Sequence, residues 1–321
     1  HYDEVLVVDR SWSMGDPTQY PKLQAAKNAA RLYVDELADN DRVGVVSFSS
    51  TATADYHLTA VSDATRTAAK NAINGFYLGG ATTLGGGLQQ ALSEFTTYGS
   101  SANPDVIVLL SDGEENTWPC WEYHPPLPGG NDCSTGPYVA DAVKNSGAKV
   151  HTVAFGPTAD QKLMQEIATA TGGTYRYAPA PATGALAVSA QAEWITLLSD
   201  VYDYVAGIAE GRQRIAQVGR TQSSGETYGY EVYIDESVGL ATFTVAQEQG
   251  RSSGCEGFKW HMSLRRPNGQ VIDPNGALPP GVIYRDDPYH GVFQVAEPEP
   301  GNWVVEVRTW RQLCAADAHA L

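Results

Sequence analysis

The hydrophobic period of the chain changes near Gly219, and this constrains the fold more than any other feature. Before that point, short apolar runs alternate with segments whose apolar residues recur every three or four positions. After it, apolar residues recur every second position. In the first region, Glu4–Asp9, Arg42–Ser49, Pro104–Leu110 and Ala148–Phe155 read as strands. Lys22–Ala38, Ser62–Ile73, Leu84–Phe95 and Asp160–Ala170 read as helices, the last stopped by Gly172-Gly173. In Lys22–Ala38, Leu23, Ala26, Ala30, Val34 and Leu37 make one apolar face. Thr53–Leu58 is placed to pair with Arg42–Ser49 as a hairpin. Strands apolar along their length, separated by such helices, imply an α/β fold with a doubly wound, mostly parallel sheet covered on both faces.

The Pro/Ala-rich stretch 179–184 reads as a hinge, followed by a long helix over 186–218. Trp194, Leu197, Val201, Tyr204, Val205, Ile208 and Ile215 form its apolar stripe. Beyond Gly219, Tyr228–Ile234, Ala241–Val245, Phe258–Leu264, Gly291–Val295 and Trp303–Trp310 read as strands. Pro267-Asn-Gly and Asp273-Pro-Asn-Gly supply turn chemistry between them. Short alternating strands joined by such turns imply an antiparallel β-sandwich. The expected organisation is an α/β domain over 1–183, a connecting helix over 184–219 and a β-sandwich over 220–321, and a length of 321 residues suits two domains.

Composition removes several function classes. With 42% hydrophobic and 18% charged residues the chain has enough apolar material for a packed core. A net charge of -16 argues against a nucleic-acid or anionic-membrane surface. No apolar run approaches the roughly 20 residues that cross a bilayer, so direct membrane insertion is not expected. A first residue other than Met, with a strand starting almost at once, reads as a processed or excised piece of a longer chain. The four cysteines allow three connectivities. Pairing Cys120 with Cys133 and Cys255 with Cys314 closes one loop in each region, and two such bridges imply an oxidising, extracytoplasmic setting. Four free buried thiols are the alternative. No Asn-x-Ser/Thr acceptor site is present.

The chemistry gathers at strand ends. Asp9-Arg-Ser11-Trp-Ser13 follows the first strand, and Ser111-Asp112-Gly113 follows the Pro104–Leu110 strand. Gly79-Gly-Ala-Thr82-Thr-Leu-Gly85 lies between them. Ligands of open parallel sheets sit outside the carboxyl ends of the strands. Two Asp, two Ser and a Thr offer oxygen alone, which suits a hard cation. Mg²⁺ fits so low a ligand charge better than Ca²⁺, and Ca²⁺ or Mn²⁺ are alternatives.

Asp9-x-Ser11-x-Ser13, Thr82 and Asp112 resemble the metal-ion-dependent adhesion site of von Willebrand factor type A domains. The three parts stand in that family's order, each with its local context. The resemblance implies a Rossmann-like fold, hydroxyl ligation by Ser11, Ser13 and Thr82, and Asp9 and Asp112 acting directly or through water. It also implies that a Glu or Asp from a protein partner completes the coordination. Thr83 is the other candidate threonine, but Thr82 has the apolar residue and Gly at the offsets the family shows.

Leu109-Leu-Ser-Asp-Gly-Glu-Glu-Asn116, Gly147-Ala-Lys-Val-His-Thr-Val-Ala-Phe-Gly156 and Thr171-Gly-Gly-Thr-Tyr175 are similar to the calcium-activated chloride channel regulator group. Val232-Tyr-Ile-Asp-Glu-Ser-Val-Gly, Leu264-Arg-Arg-Pro-Asn-Gly and Pro298-Glu-Pro-Gly-Asn-Trp-Val-Val extend the likeness into the β-rich region. Members of that group often carry an upstream metalloprotease. This chain has no His-Glu-x-x-His, so no protease activity carries over.

Two features depart from the family. Trp12 stands where Gly is usual, and Glu114–Pro137 is a long connection holding Trp118, Trp121, Tyr123 and the Cys120/Cys133 pair. Loops beyond about 12–15 residues without structure are uncommon and often functional. One reading makes Trp12, Trp118, Trp121 and Tyr123 an aromatic rim that reads the partner; the other packs the loop aromatics on their own sheet. Cys120, His124 and Cys133 as zinc ligands is a weaker alternative, since only three ligands are visible.

The expected function is a secreted or cell-surface, divalent-cation-dependent protein-binding or adhesion module without catalysis. The alternative is a structural subunit or spacer of a surface assembly, self-assembling through exposed strand edges, with the metal serving stability. The resemblance further implies that the long helix can shift when the metal site changes coordination. A rigid linker is the other possibility.

Overall fold

The computed structural model describes residues 1–15, 22–39, 41–123, 125, 133–136, 138–179, 207, 216, 225–247 and 257–312. Two compact units divide the chain, His1–Arg212 and Gln213–Leu321. The helix expected over 186–218 lies outside the described residues except for Gly207 and Ala216, and so do Cys255 and Cys314.

The first unit contains strands β1 (Asp3–Asp9), β2 (Arg42–Phe48), β3 (Ala52–Ala60), β4 (Asp105–Ser111), β5 (Lys149–Phe155) and β6 (Tyr175–Ala178). Its helices are α1 (Lys22–Glu36), α2 (Asp63–Asn74), α3 (Leu84–Tyr98), α4 (Ala140–Ser146) and α5 (Gln161–Thr171). The strands form one sheet in the order β3-β2-β1-β4-β5-β6. All neighbours are parallel except β3, which returns antiparallel to β2 as the hairpin pattern implied.

The sheet is covered on both faces, which is why its central strands are apolar throughout. Val5, Leu6, Val7 and Val8 of β1 are all completely buried. Val5 and Val7 pack with Leu84, Leu88 and Ala91 of α3 in a cluster that also takes in α4 and α5. Glu4, Leu6 and Val8 alternate to the other face. There α1 lies against the sheet, and the Tyr33 hydroxyl donates to the Glu4 carboxylate. The Ser62 and Thr65 side chains form a reciprocal cap at the start of α2. The Asp160 side chain caps α5 by accepting from Leu163 N at 2.9 Å.

The second unit contains β7 (Thr227–Ile234), β8 (Leu240–Ala246), β9 (Gly257–Arg265), β10 (Val271–Ile272), β11 (Val282–Asp287), β12 (His290–Ala296) and β13 (Gly301–Gln312). They make two antiparallel sheets, β10-β9-β13-β7 and β11-β12-β8. One apolar cluster takes Trp260, Met262, Leu264 and Trp303 from the first sheet and Phe243, Phe293 and Val295 from the second. The Phe243 and Trp303 rings meet at 5.6 Å between centroids. In this unit the two fully buried indoles find acceptors, Trp260 Nε1 at Pro288 O (3.0 Å) and Trp303 Nε1 at Glu299 O (2.8 Å). Both predicted turns close, through Arg266 N to Gln270 O at 2.8 Å and Gly276 N to Asp273 O at 3.0 Å. Among the described residues, no helix is long and apolar enough to cross a membrane.

Candidate metal centre

In the first sheet β1 is the strand at which the order reverses. The chain runs outward through β2 and β3 on one side and through β4, β5 and β6 on the other. The loops after β1 and β4 therefore diverge around a crevice at their carboxyl ends. The register pairs Val8 with Leu110, which sets Asp9 level with Ser111. Ser111 Oγ donates to Asp9 Oδ2 at 2.6 Å, and Ser11 N donates to Asp9 Oδ1 at 2.7 Å. The Ser11 and Ser13 hydroxyls lie 2.9 Å apart, and Ser13 Oγ donates to Asp112 Oδ1 at 2.6 Å.

The third segment is pinned from two sides. Trp12 N donates to Gly80 O and Gly79 N to Arg10 O, which joins it to the loop after β1. Ala81 N donates to Ser50 Oγ and Thr83 N to Ser49 O, which joins it to the loop after β2. Gly80 has φ +81°, and a Cβ there would lie 2.6 Å from Ser50 Oγ, so the turn requires glycine. Asn116 holds Thr82 through both backbone groups: Thr82 N donates to its Oδ1 at 2.8 Å and Asn116 N to Thr82 O at 3.0 Å. A Cβ added at Gly113 would lie 3.2 Å from Ser13 Oγ and 3.4 Å from Thr82 Oγ1. The two hydroxyls thus converge on the same side of Gly113.

Thr83 is occupied otherwise. Its hydroxyl accepts from Gly86 N at 3.1 Å, capping α3, and donates to Pro119 O at 2.7 Å.

Asp9 and Asp112 are both completely buried. Burial, and next the Asp112 charge, push the Asp9 carboxyl from 3.8 up to about 7, against the lowering effect of its hydrogen bonds from Ser111 and Ser11. Two facing carboxylates in a dry site repel unless a cation lies between or beside them. One such cation belongs to the chain itself: the Lys22 ammonium pairs with Asp112 Oδ2. Among the described residues, the metal-ligating groups gathered here are hydroxyls and carboxylates, a donor set that fits Mg²⁺, Mn²⁺ or Ca²⁺ rather than a thiolate- or imidazole-seeking ion.

The aromatic rim expected around this centre needs correction. Trp121 is completely buried and packs in the apolar cluster with α3 and α4. Its backbone N donates to Glu115 Oε2 at 2.8 Å, while Glu115 Oε1 accepts from Gly85 N at 2.7 Å. A large indole beside helices whose faces are Leu, Ala and Val gains more by burial than by exposure. Trp12 is 66% exposed, and Trp118 and Tyr123 are also exposed. Tyr77, not singled out by sequence, is 70% exposed and stacks under the Arg10 guanidinium at 4.8 Å. Cys120 and Cys133 form a disulfide, Cα–Cα 5.8 Å. Both thiols are therefore committed, which removes the zinc reading of Cys120, His124 and Cys133; His124 lies outside the described residues.

The von Willebrand factor type A domain family matches residues 3–185, and the chain belongs to it. Domains of this family are commonly adhesion or protein-interaction modules. The chain is 29% identical over 243 residues to calcium-activated chloride channel regulator 4 of Homo sapiens, covering 74% of this chain and 23% of that one. It is 27% identical to calcium-activated chloride channel regulator 1 of Homo sapiens over 98% of this chain and 29% of the relative. The chain thus spans less than a third of the length of these relatives. A solved von Willebrand factor type A protein from Catenulispora acidiphila superposes with TM-score 0.50 at 19% identity, covering 96% of this chain and 57% of that one, a likeness of fold.

Four participants were not singled out by sequence: Ser111, Glu115, Asn116 and Lys22. The first three sit inside the Leu-Ser-Asp-Gly-Glu-Glu-Asn run, where polar residues next to a motif Asp are natural holders of its loop. Lys22 carried a different signal. A cation in the first turn of a helix opposes the helix dipole, and a nearby anion offsets that cost.

Proposed function

We propose that the chain is a divalent-cation-dependent protein-binding module in which a partner's Asp or Glu completes the coordination of a Mg²⁺ ion. Ser11, Ser13 and Thr82 would supply hydroxyl oxygens, and Asp9 and Asp112 would balance the charge directly or through water. The observation that carries this reading is the convergence of the Ser13 and Thr82 hydroxyls beside two fully buried carboxylates. Ser13 Oγ directs its hydrogen at Asp112, which turns the acceptor side of the hydroxyl away from that carboxylate and toward an ion. Carboxylates kept one shell back leave the ion electron-poor, and its pull on a partner carboxylate is correspondingly strong. When bound, the ion supplies electrostatic attraction for that carboxylate; the chain's own part is to hold the oxygens in place.

The proposed organisation is a type A domain over 1–183, a connecting helix over 184–219 and a β-sandwich over 220–321, in a secreted or cell-surface setting. The test is calorimetric titration with Mg²⁺ and Mn²⁺, together with partner capture with and without chelator. Native protein should bind the ions and capture a partner only in their presence, and Asp9→Ala and Ser11→Ala should lose both while keeping the fold. Capture that is indifferent to chelator would count against the mechanism. Polymers in negative-stain images would favour a structural subunit instead.

A further inference from the structure

Asp112 is the carboxylate on which two claims meet. Its Oδ1 accepts from Ser13 Oγ at 2.6 Å and its Oδ2 is held by the Lys22 ammonium, from a residue 90 positions away in sequence. Asp112 is completely buried, and the Lys22 side chain is 14% exposed. Lys22 opens α1, where the helix dipole disfavours a positive charge and where no acidic side chain stands in the first turn. The anion that offsets this placement belongs to the metal centre. Lys22 thus sits against the same carboxylate that an ion at Ser11, Ser13 and Thr82 would draw on.

We propose that Lys22 is a built-in competitor for the divalent ion: its ammonium shares Asp112 with the metal and so sets how tightly the centre holds it. This rests on the metal reading above. A divalent ion drawing on Asp112 must either displace the ammonium from Oδ2 or share the carboxylate with it. In the first case binding works against an existing ion pair; in the second, against a like charge a few ångströms away. Both lower metal affinity, and sharing also leaves the bound ion less neutralised and more attractive to an incoming partner carboxylate. Lys22 acts through Asp112 and is a positioning residue, not a ligand.

The experiment is calorimetric titration of Mg²⁺ and Mn²⁺ into the native chain and into Lys22→Met, Lys22→Gln and Lys22→Arg, with circular dichroism to confirm the fold. Lys22→Met and Lys22→Gln should bind both ions more tightly, by about tenfold or more. Lys22→Arg keeps the charge and should stay close to native. Lys22→Gln also retains a donor for Asp112, which keeps the test available if the Met variant does not fold. Unchanged or weaker affinity in the folded neutral variants would overturn the proposal and leave Lys22 as a structural counter-ion. A native chain that binds neither ion would instead overturn the metal reading itself.

Discussion

Ser13 Oγ donates to Asp112 Oδ1 at 2.6 Å, a contact between residues 99 positions apart that ties the loop after β1 to the loop after β4. Ser13→Ala removes a candidate ligand and a hydroxyl donor to that oxygen together, without opening an apolar cavity. Metal affinity should fall by at least about 10–100-fold, with the thermal midpoint little changed. Titration calorimetry and a melting curve on the same sample check both halves.

Trp12 and Trp121 should separate binding from folding. Trp12 is exposed beside Ser11 and Ser13, so Trp12→Ala should leave stability within about 0.5 kcal/mol while weakening metal-dependent partner capture. Trp121 is completely buried, so Trp121→Ala should cost about 3–5 kcal/mol. Urea denaturation and pull-down on the two variants should give opposite patterns. A stable Trp121→Ala chain would mean that the cluster around α3 and α4 is looser than its burial implies.

His151 should make the first unit acid-sensitive. Burial, with Lys149 adding to it, lowers the imidazole from 6.5 to about 4. Its Nδ1 accepts from Thr174 N at 3.2 Å, a bond that the protonated ring cannot accept. Between pH 6.5 and about 4 the unfolded chain binds a proton that the folded chain refuses. Its contribution is therefore complete above pH 6.5 and is lost as pH falls through that window, by about 3 kcal/mol at the low end. Denaturation midpoints measured from pH 7 to 4 should fall more steeply in the native chain than in His151→Gln.

Asp105 has the opposite sign. Burial, and next the Asp3 charge, raise its carboxyl from 3.8 to about 6. The folded state holds a proton that the unfolded state releases, so this stabilisation is full below pH 3.8 and is lost as pH rises through about 6. Asp105→Asn should therefore raise the melting temperature at pH 7 to 8, on the order of 2 °C, with little effect near pH 4. A variant that melts lower at pH 7 would show the carboxylate to be better compensated than its surroundings imply.

Much of the fold was legible because the physics was local. β1, β4 and β5 are buried on both faces, so their apolar runs stand out without any knowledge of neighbours. The turn residues at Pro267–Gly269 and Asp273–Gly276 likewise act within four positions. The type A motif was legible because Asp9, Ser11 and Ser13 lie within one short loop. α4, β6, β10 and β11 were not legible: α4 is two turns long, too short for a helical period, and the three short strands carry no sustained apolar run. The roles of Trp12 and Trp121 could not be told apart from composition. What separates them is which helices lie nearby, and that depends on the packing of α3 and α4. The Lys22–Asp112 pair was hidden for the same reason, since sequence pattern alone carries no distance between residues 90 apart.

The Glu115 carboxylate bridges Gly85 N at the start of α3 and Trp121 N at the edge of the disulfide loop. It fastens the first part of the long connection, Glu115 to Trp121, to the start of α3. That anchored part shares fixed points with the segment carrying Thr82, which Asn116 holds through both backbone groups. Exchanges beyond Trp121 that leave Glu115, Asn116 and Trp121 in place should therefore keep the spacing of the hydroxyls at the centre. On the proposed metal reading, the aromatic residues beside the centre can change while the backbone that holds its oxygens stays fixed.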